Sequence, residues 1–300
     1  MIMARLPNFF IAGAAKSGTT SLFYYVQQHP DVYMSRVKEP HYFCSPEFPD
    51  RFEGPGDQGF QDNTTRTQED YMRLFDGVQN ESVVGEASVY YLTFPQAAAR
   101  IHKFNPDAKI ALVLRNPVQR AFSAYMHTIR DGRETLSFEE ALEQEATRRE
   151  QNYQPLWWYK EAGLYAQSIE AYMSVFGRDQ LKIFLYEDLE HADQVVRELF
   201  SFLNLRDDVS INTSLRYNQS GKPKSRLMYE FFAKPNAVKE VIKPLLPKDF
   251  RRKLGQRAKN MTLAKDKPSA KAERMLARYF RDDILRLQDL LHRDLSGWLS

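Results

Sequence analysis

The sequence has little cysteine, no long apolar run and no metal-binding motif. Cys44 is the single cysteine among 300 residues, which excludes an internal disulfide framework and favours a reducing compartment. No apolar stretch approaches the roughly 20 residues that a membrane span requires. The six histidines are scattered, and neither H-E-x-x-H nor C-x-x-C occurs, so no metal site is predicted. These absences predict a soluble, cytoplasmic protein with no transmembrane segment.

Composition and charge indicate one folded unit with a basic segment near its end. Hydrophobic residues are 43% and charged residues 27% of the chain, which excludes a disordered polymer. Lys222–Arg274 holds 16 Lys and Arg against 5 Asp and Glu; since the whole chain carries +3, the remainder carries −8. This segment is either a solvated helical surface or a contact for a polyanion, an anionic cofactor or an acidic membrane. It lacks interleaved aromatic residues, so no nucleic acid partner is predicted.

The hydrophobic pattern predicts an α/β fold, because strands alternate with helices as in a parallel sheet covered on both faces. Strands are predicted at Phe9–Ala14, Ser82–Glu86, Lys109–Leu114 and Leu181–Tyr186. Helices are predicted at Thr19–Gln28, Pro117–Arg130, Ser137–Glu150, Gly163–Phe176 and Ala192–Leu203. We expect a single domain over residues 1–300, with an α/β core at 1–222 and a basic, proline-broken helical part at 223–300.

Residues Cys44–Thr65 are rich in glycine and proline and are predicted to form a long loop, either a lid, a substrate wall or a mobile segment. Within it, Gly54–Gly59 spells G-x-G-x-x-G. That motif binds dinucleotides only between a strand and a helix. Here it follows no strand and contains Pro55, so we discard the dinucleotide interpretation.

The segment Phe9–Leu22 carries the strongest local signal. An apolar strand runs into the small-residue loop Gly13-Ala-Ala-Lys-Ser-Gly18, and a helix is predicted from Thr19. Backbone N–H groups of such a loop, with the positive end of the helix dipole, form a cradle for an anion. The frame Gly13-x4-Gly18 matches a phosphate-binding P-loop, but Thr19 occupies the position of its lysine and Lys16 lies three residues earlier. A purely structural turn is the alternative.

A second segment, Lys109–Tyr125, repeats the pattern of strand and helix. A buried strand ends at Arg115, and Pro117 suits the first turn of the next helix. Ser123 then lies nearly two turns along that helix. An arginine fork with a nearby hydroxyl is suited to a phosphate monoester, although an arginine at the end of a strand also makes ordinary salt bridges.

Together these segments resemble the sulfotransferases that use 3′-phosphoadenosine 5′-phosphosulfate (PAPS). The first is similar to the loop of that family that holds the 5′-phosphosulfate, and Arg115 with Ser123 is similar to its 3′-phosphate site. Lys38-Glu-Pro-His-Tyr-Phe43 resembles the acceptor segment of the heparan sulfate and related carbohydrate branch, in which a glutamate is the catalytic base. The resemblance implies a P-loop-like, three-layer α/β fold with a central parallel sheet flanked by helices and a helical C-terminal part.

The resemblance also implies the site residues. Lys16 would neutralise charge on the leaving oxygen, Glu39 would deprotonate the acceptor, and no metal is required. The residues that would bind PAPS, whose product is adenosine 3′,5′-bisphosphate, are Lys16, Ser17, Gly18, Thr19, Thr20, Arg115, Ser123, Gly221 and Lys222. The last two belong to the approximate loop Asn218–Lys224, in which Pro223 lacks an N–H for phosphate.

The acceptor side is less defined. Candidate substrate-binding residues are Lys38, His41, Glu86 and Tyr165. Glu86 occupies the position of a lysine in the carbohydrate branch, and His41 is a rival base to Glu39. Glu39 alternatively pairs with Lys38 at the surface. Trp157 and Trp158 either stack on a sugar or are buried.

The sequence features differ from those of the Golgi relatives, which have a membrane anchor and usually a disulfide, so the chain resembles a soluble bacterial type. The acceptor is expected to be a carbohydrate, a lipid or a small-molecule alcohol. Two other functions stay open. One is an ATP-dependent P-loop kinase or NTPase, with Asp188 after the strand at Leu181 as its magnesium ligand. The other is a non-catalytic binder of polyanions or anionic membranes through Lys222–Arg274.

Overall fold

A central five-stranded parallel sheet organises the protein. The computed structural model describes residues 6–214, 222–223, 263–264 and 267–299. The strand order is β2-β3-β1-β4-β5, and every pair in it is parallel. The strands are β1 (Phe9–Gly13), β2 (Val32–Met34), β3 (Val83–Ala87), β4 (Lys109–Leu114) and β5 (Leu181–Leu185). The predicted fold class is therefore confirmed.

The strands are apolar on both faces because each face is covered by helices. Along β1, Phe10 and Ala12 belong to one buried cluster, whereas Phe9 and Ile11 belong to the other. Successive side chains of β4 also alternate between the two clusters, because neighbouring residues of a strand point to opposite faces of the sheet. The sheet thus separates two cores and forms the middle of three layers.

Helices flank the sheet on both sides. In chain order, the α-helices of the described residues are α1 (Thr19–Val26), α2 (Gln58–Asn63), α3 (Gln68–Arg73), α4 (Gln96–Phe104), α5 (Pro117–Arg130), α6 (Phe138–Glu143), α7 (Glu145–Glu150), α8 (Ala166–Val175), α9 (Ala192–Leu203) and α10 (Ala270–Leu291). Helix α5 starts where the sequence predicts, because the Asn116 side chain accepts hydrogen bonds from Val118 N and Gln119 N.

Several features of the structure differ from the sequence prediction, which also lacked helices α2, α3 and α4. The helix predicted over Ser137–Glu150 is divided at Gln144. The buried carboxylate of Glu145 accepts hydrogen bonds from the backbone of Lys160 and Glu161, which directs α7 toward that turn. The short strand β2 was not predicted, since three residues carry no periodic signal.

The Cys44–Thr65 segment is not a plain loop. It contains most of the 3₁₀ helix Tyr42–Glu47 and all of α2. The buried Asp57 carboxylate, at the start of α2, accepts hydrogen bonds from Gln154 and from Trp157 Nε1. This contact fastens the segment to the body of the protein.

The C-terminal helix α10 packs against α5 and α8. Its buried face is formed by Leu276, Phe280, Ile284 and Leu287, and its N-cap Ser269 follows Pro268. Most of the predicted basic segment lies outside the described residues. Within the described part, no helix is both long and apolar enough to cross a membrane. The domain division at residue 222 stays a prediction.

Candidate active site

A cleft of about 810 Å³ opens beside the carboxyl ends of β1 and β4. The strands that follow β1 in the chain, β2 and β3, lie on one side of it, whereas β4 and β5 lie on the other. Ligands of open α/β sheets bind where the chain switches sides in this way. The cleft brings together predicted site residues from three separate segments of the chain. Of the predicted site residues, it is lined by Lys16, Gly18, Thr19, Thr20, Glu39, Arg115 and Ser123.

The loop between β1 and α1 has the geometry of an anion cradle. Gly18 has a φ of 88° at the N-cap of α1, and a Cβ there would lie 2.5 Å from Leu189 Cδ1. Only glycine fits both conditions. Among the described residues no side chain caps α1, and Gly18, Thr19 and Thr20 at its start line the cleft. The first N–H groups of a helix and the positive end of its dipole attract an anion at such a position. The buried Ser17 Oγ also has no hydrogen-bond partner among the described residues.

Arg115 lies at the end of β4 and connects both motifs. Its Nη1 donates to the carbonyl oxygen of Lys16 at 3.1 Å, and its guanidinium stacks on the Tyr186 ring at 4.3 Å. Its buried Nε has no hydrogen-bond partner in the described part of the chain. Ser123, on α5, faces the same cleft. The two predicted motifs therefore form one site.

A histidine and an aspartate hold Lys16 in place. Lys16 Nζ lies 2.7 Å from His127 Nδ1, and His127 Nε2 lies 3.2 Å from Asp131 Oδ2. Because the carboxylate accepts the Nε2 proton, Nδ1 is the acceptor for Lys16. This pair was not predicted from the sequence. Ser123, His127 and Asp131 follow at intervals of four residues, so the helical spacing of α5 was the signal that could have found it.

Burial and neighbouring charges shift the titration of this triad. Burial, with Arg130 and Arg115 adding to it, lowers the pKa of Lys16 to about 7. Burial and the charge of Lys16 lower the pKa of His127 to about 4. His127 is consequently neutral at pH 7, while Lys16 is poised between its charged and neutral forms.

Glu39 reaches the cleft from an unusual backbone conformation. Its φ is 66°, its N–H donates to Ala87 O at 2.8 Å, and its carboxylate pairs with Lys38 Nζ. Burial alone would raise the pKa of Glu39, but Lys38 and His41 outweigh it and hold the pKa below its ordinary value. Glu39 therefore faces the cleft as a carboxylate.

His41 lies behind Glu39 rather than in the cleft lining. Its ring is 1% exposed, and its Nε2 is 3.6 Å from Glu39 Oε2. The imidazole stacks on Tyr90 and contacts Phe60, each at 5.0 Å between ring centroids. Burial lowers the pKa of His41. The histidine thus joins Glu39 to an aromatic wall.

Comparison with known proteins identifies the family. A family model described as "Sulfotransferase family" matches residues 7–208. The chain belongs to this family. A solved sulfotransferase structure from Alicyclobacillus acidocaldarius is 42% identical, with a TM-score of 0.79, over 99% of this chain and 100% of that chain.

The chain is also similar to curated animal enzymes. Human carbohydrate sulfotransferase 15 is 28% identical over 67% of this chain and 44% of its own length. Heparan sulfate glucosamine 3-O-sulfotransferase 3A1 of Mus musculus is 27% identical over 86% of this chain and 63% of its own length. The chain spans less than two thirds of these curated relatives.

Three further predicted residues lie away from the cleft lining. Tyr165 is buried, and its hydroxyl donates to the carbonyl oxygen of Arg115 at 3.0 Å. Lys38 pairs with Glu39. Trp157, proposed as a stacking surface, is 1% exposed and donates to Asp57 instead. Gly221 lies outside the described residues, and Lys222 begins a two-residue strand that contacts α5.

Glu86 is buried beneath the Glu39 segment. Its carboxylate accepts hydrogen bonds from Tyr91 at 2.5 Å, Ser88 at 2.7 Å and Tyr71 at 3.2 Å. Ser88 Oγ in turn accepts from His41 N at 3.0 Å. Glu86 therefore supports the backbone that presents Glu39.

Glu86 should make the protein less stable as the pH rises. Burial raises the pKa of Glu86 to about 7, against the effect of its three hydroxyl donors. Between pH 4.5 and 7 the folded state then binds more protons than the unfolded state, so the free energy of unfolding falls with pH. The full effect is about 3 kcal/mol.

Urea unfolding of the wild type and Glu86→Gln between pH 4.5 and 8 measures this effect. The unfolding free energy of the variant should gain about 3 kcal/mol relative to wild type across this range. The exposed Glu150→Gln variant serves as the control and should parallel the wild type. A constant difference between wild type and Glu86→Gln would contradict the prediction.

Proposed function

We propose that this protein transfers a sulfuryl group from PAPS to a hydroxyl or amine of an acceptor. The observation that carries the proposal is one cleft lined by Lys16, Glu39, Arg115 and Ser123. It combines an anion cradle, a second cationic phosphate site and a carboxylate base. Family membership adds support, and the activity of this chain is the part to be tested.

The residues fit a nucleotide with two separate anionic groups. The uncapped start of α1 and the unpartnered Ser17 Oγ suit one of them, and the Arg115 Nε, unpartnered within the described ranges, suits the other. A buried polar atom without a partner is costly, which supports a bound ligand as its natural partner. Arg115 and Ser123 would then bind the 3′-phosphate and distinguish PAPS from ATP.

PAPS supplies an activated sulfuryl group. At Glu39, the carboxylate takes the acceptor proton as the acceptor oxygen or nitrogen forms its bond to sulfur. The bond between sulfur and the 5′-phosphate oxygen breaks, and the charged form of Lys16 neutralises the oxygen that leaves. His127 and Asp131 keep the Lys16 Nζ in position for this task. The protein thus contributes alignment and charge, as in phosphoryl transfer.

The structure provides no support for the kinase alternative at Asp188. Its carboxylate forms a two-point ion pair with Arg293, at 2.9 and 3.0 Å, and also accepts from Leu185 N. A residue engaged in this way is a poor magnesium ligand. Thr19 also occupies the position of the P-loop lysine.

Calorimetric titration with adenosine 3′,5′-bisphosphate tests the proposal. The 5′-phosphate should raise the pKa of Lys16 from about 7, so binding at pH 8 should take up close to one proton. Titration in two buffers of different ionisation enthalpy measures this uptake. Near pH 6, where Lys16 is already charged, the uptake through Lys16 should vanish.

Controls separate Lys16 from other proton sources. Lys16→Met should abolish the uptake at pH 8, whereas the exposed Lys271→Met should preserve it. ATP with magnesium should bind more weakly, because it lacks the 3′-phosphate. Binding of ATP with magnesium that equals or exceeds that of the bisphosphate would favour the kinase alternative, and absence of bisphosphate binding would overturn the proposal.

A further inference from the structure

The wall of the cleft around Glu39 is apolar. His41 connects Glu39 to the rings of Phe60 and Tyr90, which both line the cleft. Further apolar side chains extend this lining. The apolar side chains of this acceptor wall are Phe60, Val89, Tyr90, Met126 and Leu156.

Three cations near this wall, Arg133, Lys38 and Arg130, have anionic partners. Arg133 lines the cleft, but its guanidinium pairs with the buried Asp57 and its Nε donates to Pro55 O. Lys38 pairs with Glu39, and Arg130 pairs with Asp131 at 2.8 Å. A sulfated or carboxylated glycan would gain little Coulomb energy from these three cations, since each is neutralised and Glu39 itself is anionic.

The aromatic residues of the wall also do not form an open sugar platform. Phe60 and Tyr90 pack edge to face at 5.6 Å, and both contact His41. Trp157 points its N–H at Asp57 inside the protein. The wall thus presents apolar side chains beside the Glu39 carboxylate, a combination that suits an apolar ligand with one polar group.

From these observations we infer that the acceptor is an alcohol carried on an uncharged, largely apolar body, such as an aliphatic or aromatic alcohol. This inference rests on the proposed function for its reaction, because Glu39 would remove the proton of the hydroxyl. The apolar part of the acceptor would contact Phe60, Tyr90 and Leu156. The acceptor wall, rather than a set of cations, would then determine specificity.

A series of 1-alkanols from butanol to octanol tests the inference by calorimetry, with and without saturating adenosine 3′,5′-bisphosphate. The dissociation constant should fall about three- to fourfold per added methylene until the pocket is full. Phe60→Asp, which places a charge in the wall, should remove this dependence, whereas Phe60→Leu should retain it. A heparin-derived tetrasaccharide and cellotetraose should show no saturable binding at about 0.15 M salt.

The possible results test the acceptor inference and the proposed function separately. The inference would be overturned if alkanol affinity did not depend on chain length, or if that dependence were unchanged in Phe60→Asp. It would also be overturned if an oligosaccharide bound more tightly than octanol. The bisphosphate titration tests the proposed function independently of the alkanol series. If the alkanol dependence is present and the bisphosphate does not bind, the apolar site stands and the sulfuryl transfer falls.

Discussion

Replacing Glu39 by Gln should lower kcat by roughly 10²–10⁴-fold, the usual contribution of a general base. The amide has nearly the same shape as the carboxylate but cannot accept the acceptor proton. The paired Lys38 and the nearby His41 keep the wild-type group ionised, so the base is available at neutral pH. Affinity for adenosine 3′,5′-bisphosphate should stay unchanged, because Glu39 faces the acceptor.

Two further variants sharpen this test. Glu53→Gln removes an exposed carboxylate from the neighbouring segment and should leave turnover unaltered. His41→Phe keeps an aromatic ring beside Tyr90 and Phe60 but removes the rival base. If His41→Phe lost as much activity as Glu39→Gln while binding the bisphosphate normally, or if Glu39→Gln retained full turnover, the assignment of the base would be wrong.

A second large change is expected for Arg115→Ala, which should weaken bisphosphate binding by about 2–5 kcal/mol, or roughly 30- to 5000-fold. Arg115 is half-buried, donates to Lys16 O and stacks on Tyr186, so its guanidinium is held in advance of binding. Arg115→Lys keeps the charge but loses the planar fork and should recover only part of the affinity.

Adenosine 5′-phosphate provides the matched control, because it lacks the 3′-phosphate. Its affinity should differ little between the wild type and Arg115→Ala, so that the loss is specific to the bisphosphate. Since Arg115 also donates to Lys16 O, its removal could disturb the 5′-phosphate loop. Equal losses for both nucleotides would show that Arg115 supports the loop and does not read the 3′-phosphate.

The predicted elements and the structure agree best where local signals are strong. The strand at Lys109–Leu114 and the helices Pro117–Arg130 and Ala192–Leu203 have the predicted boundaries. Asn116 and Pro117 explain the sharp start of α5, and a capping box of Ser137 and Glu140 explains the start of α6. The break at Gln144 was not predictable, because it depends on Glu145 and the distant turn at Lys160.

For the candidate site too, the sequence prediction and the structure agree best where the signal is local. The sequence indicated the cradle and the Arg115 and Ser123 pair, and the structure places them on one cleft. It did not indicate that Glu86 is fully buried, since a carboxylate on an apolar strand resembles a substrate contact. Three hydroxyl donors, Tyr71 from α3 with Ser88 and Tyr91 from one turn, make that burial tolerable.

The proposed phosphate-binding parts of this protein are encoded locally, because a loop and the helix that follows it are contiguous in the chain. Gly18, Lys16 and the uncapped start of α1 are of this kind, and the sequence alone was sufficient to find them. The groups that meet across the cleft follow instead from the packing of distant elements. Lys16 and His127 are 111 positions apart, and Asp57 and Gln154 are 97 positions apart. Such contacts depend on how helices pack on the sheet, and no local pattern records that packing.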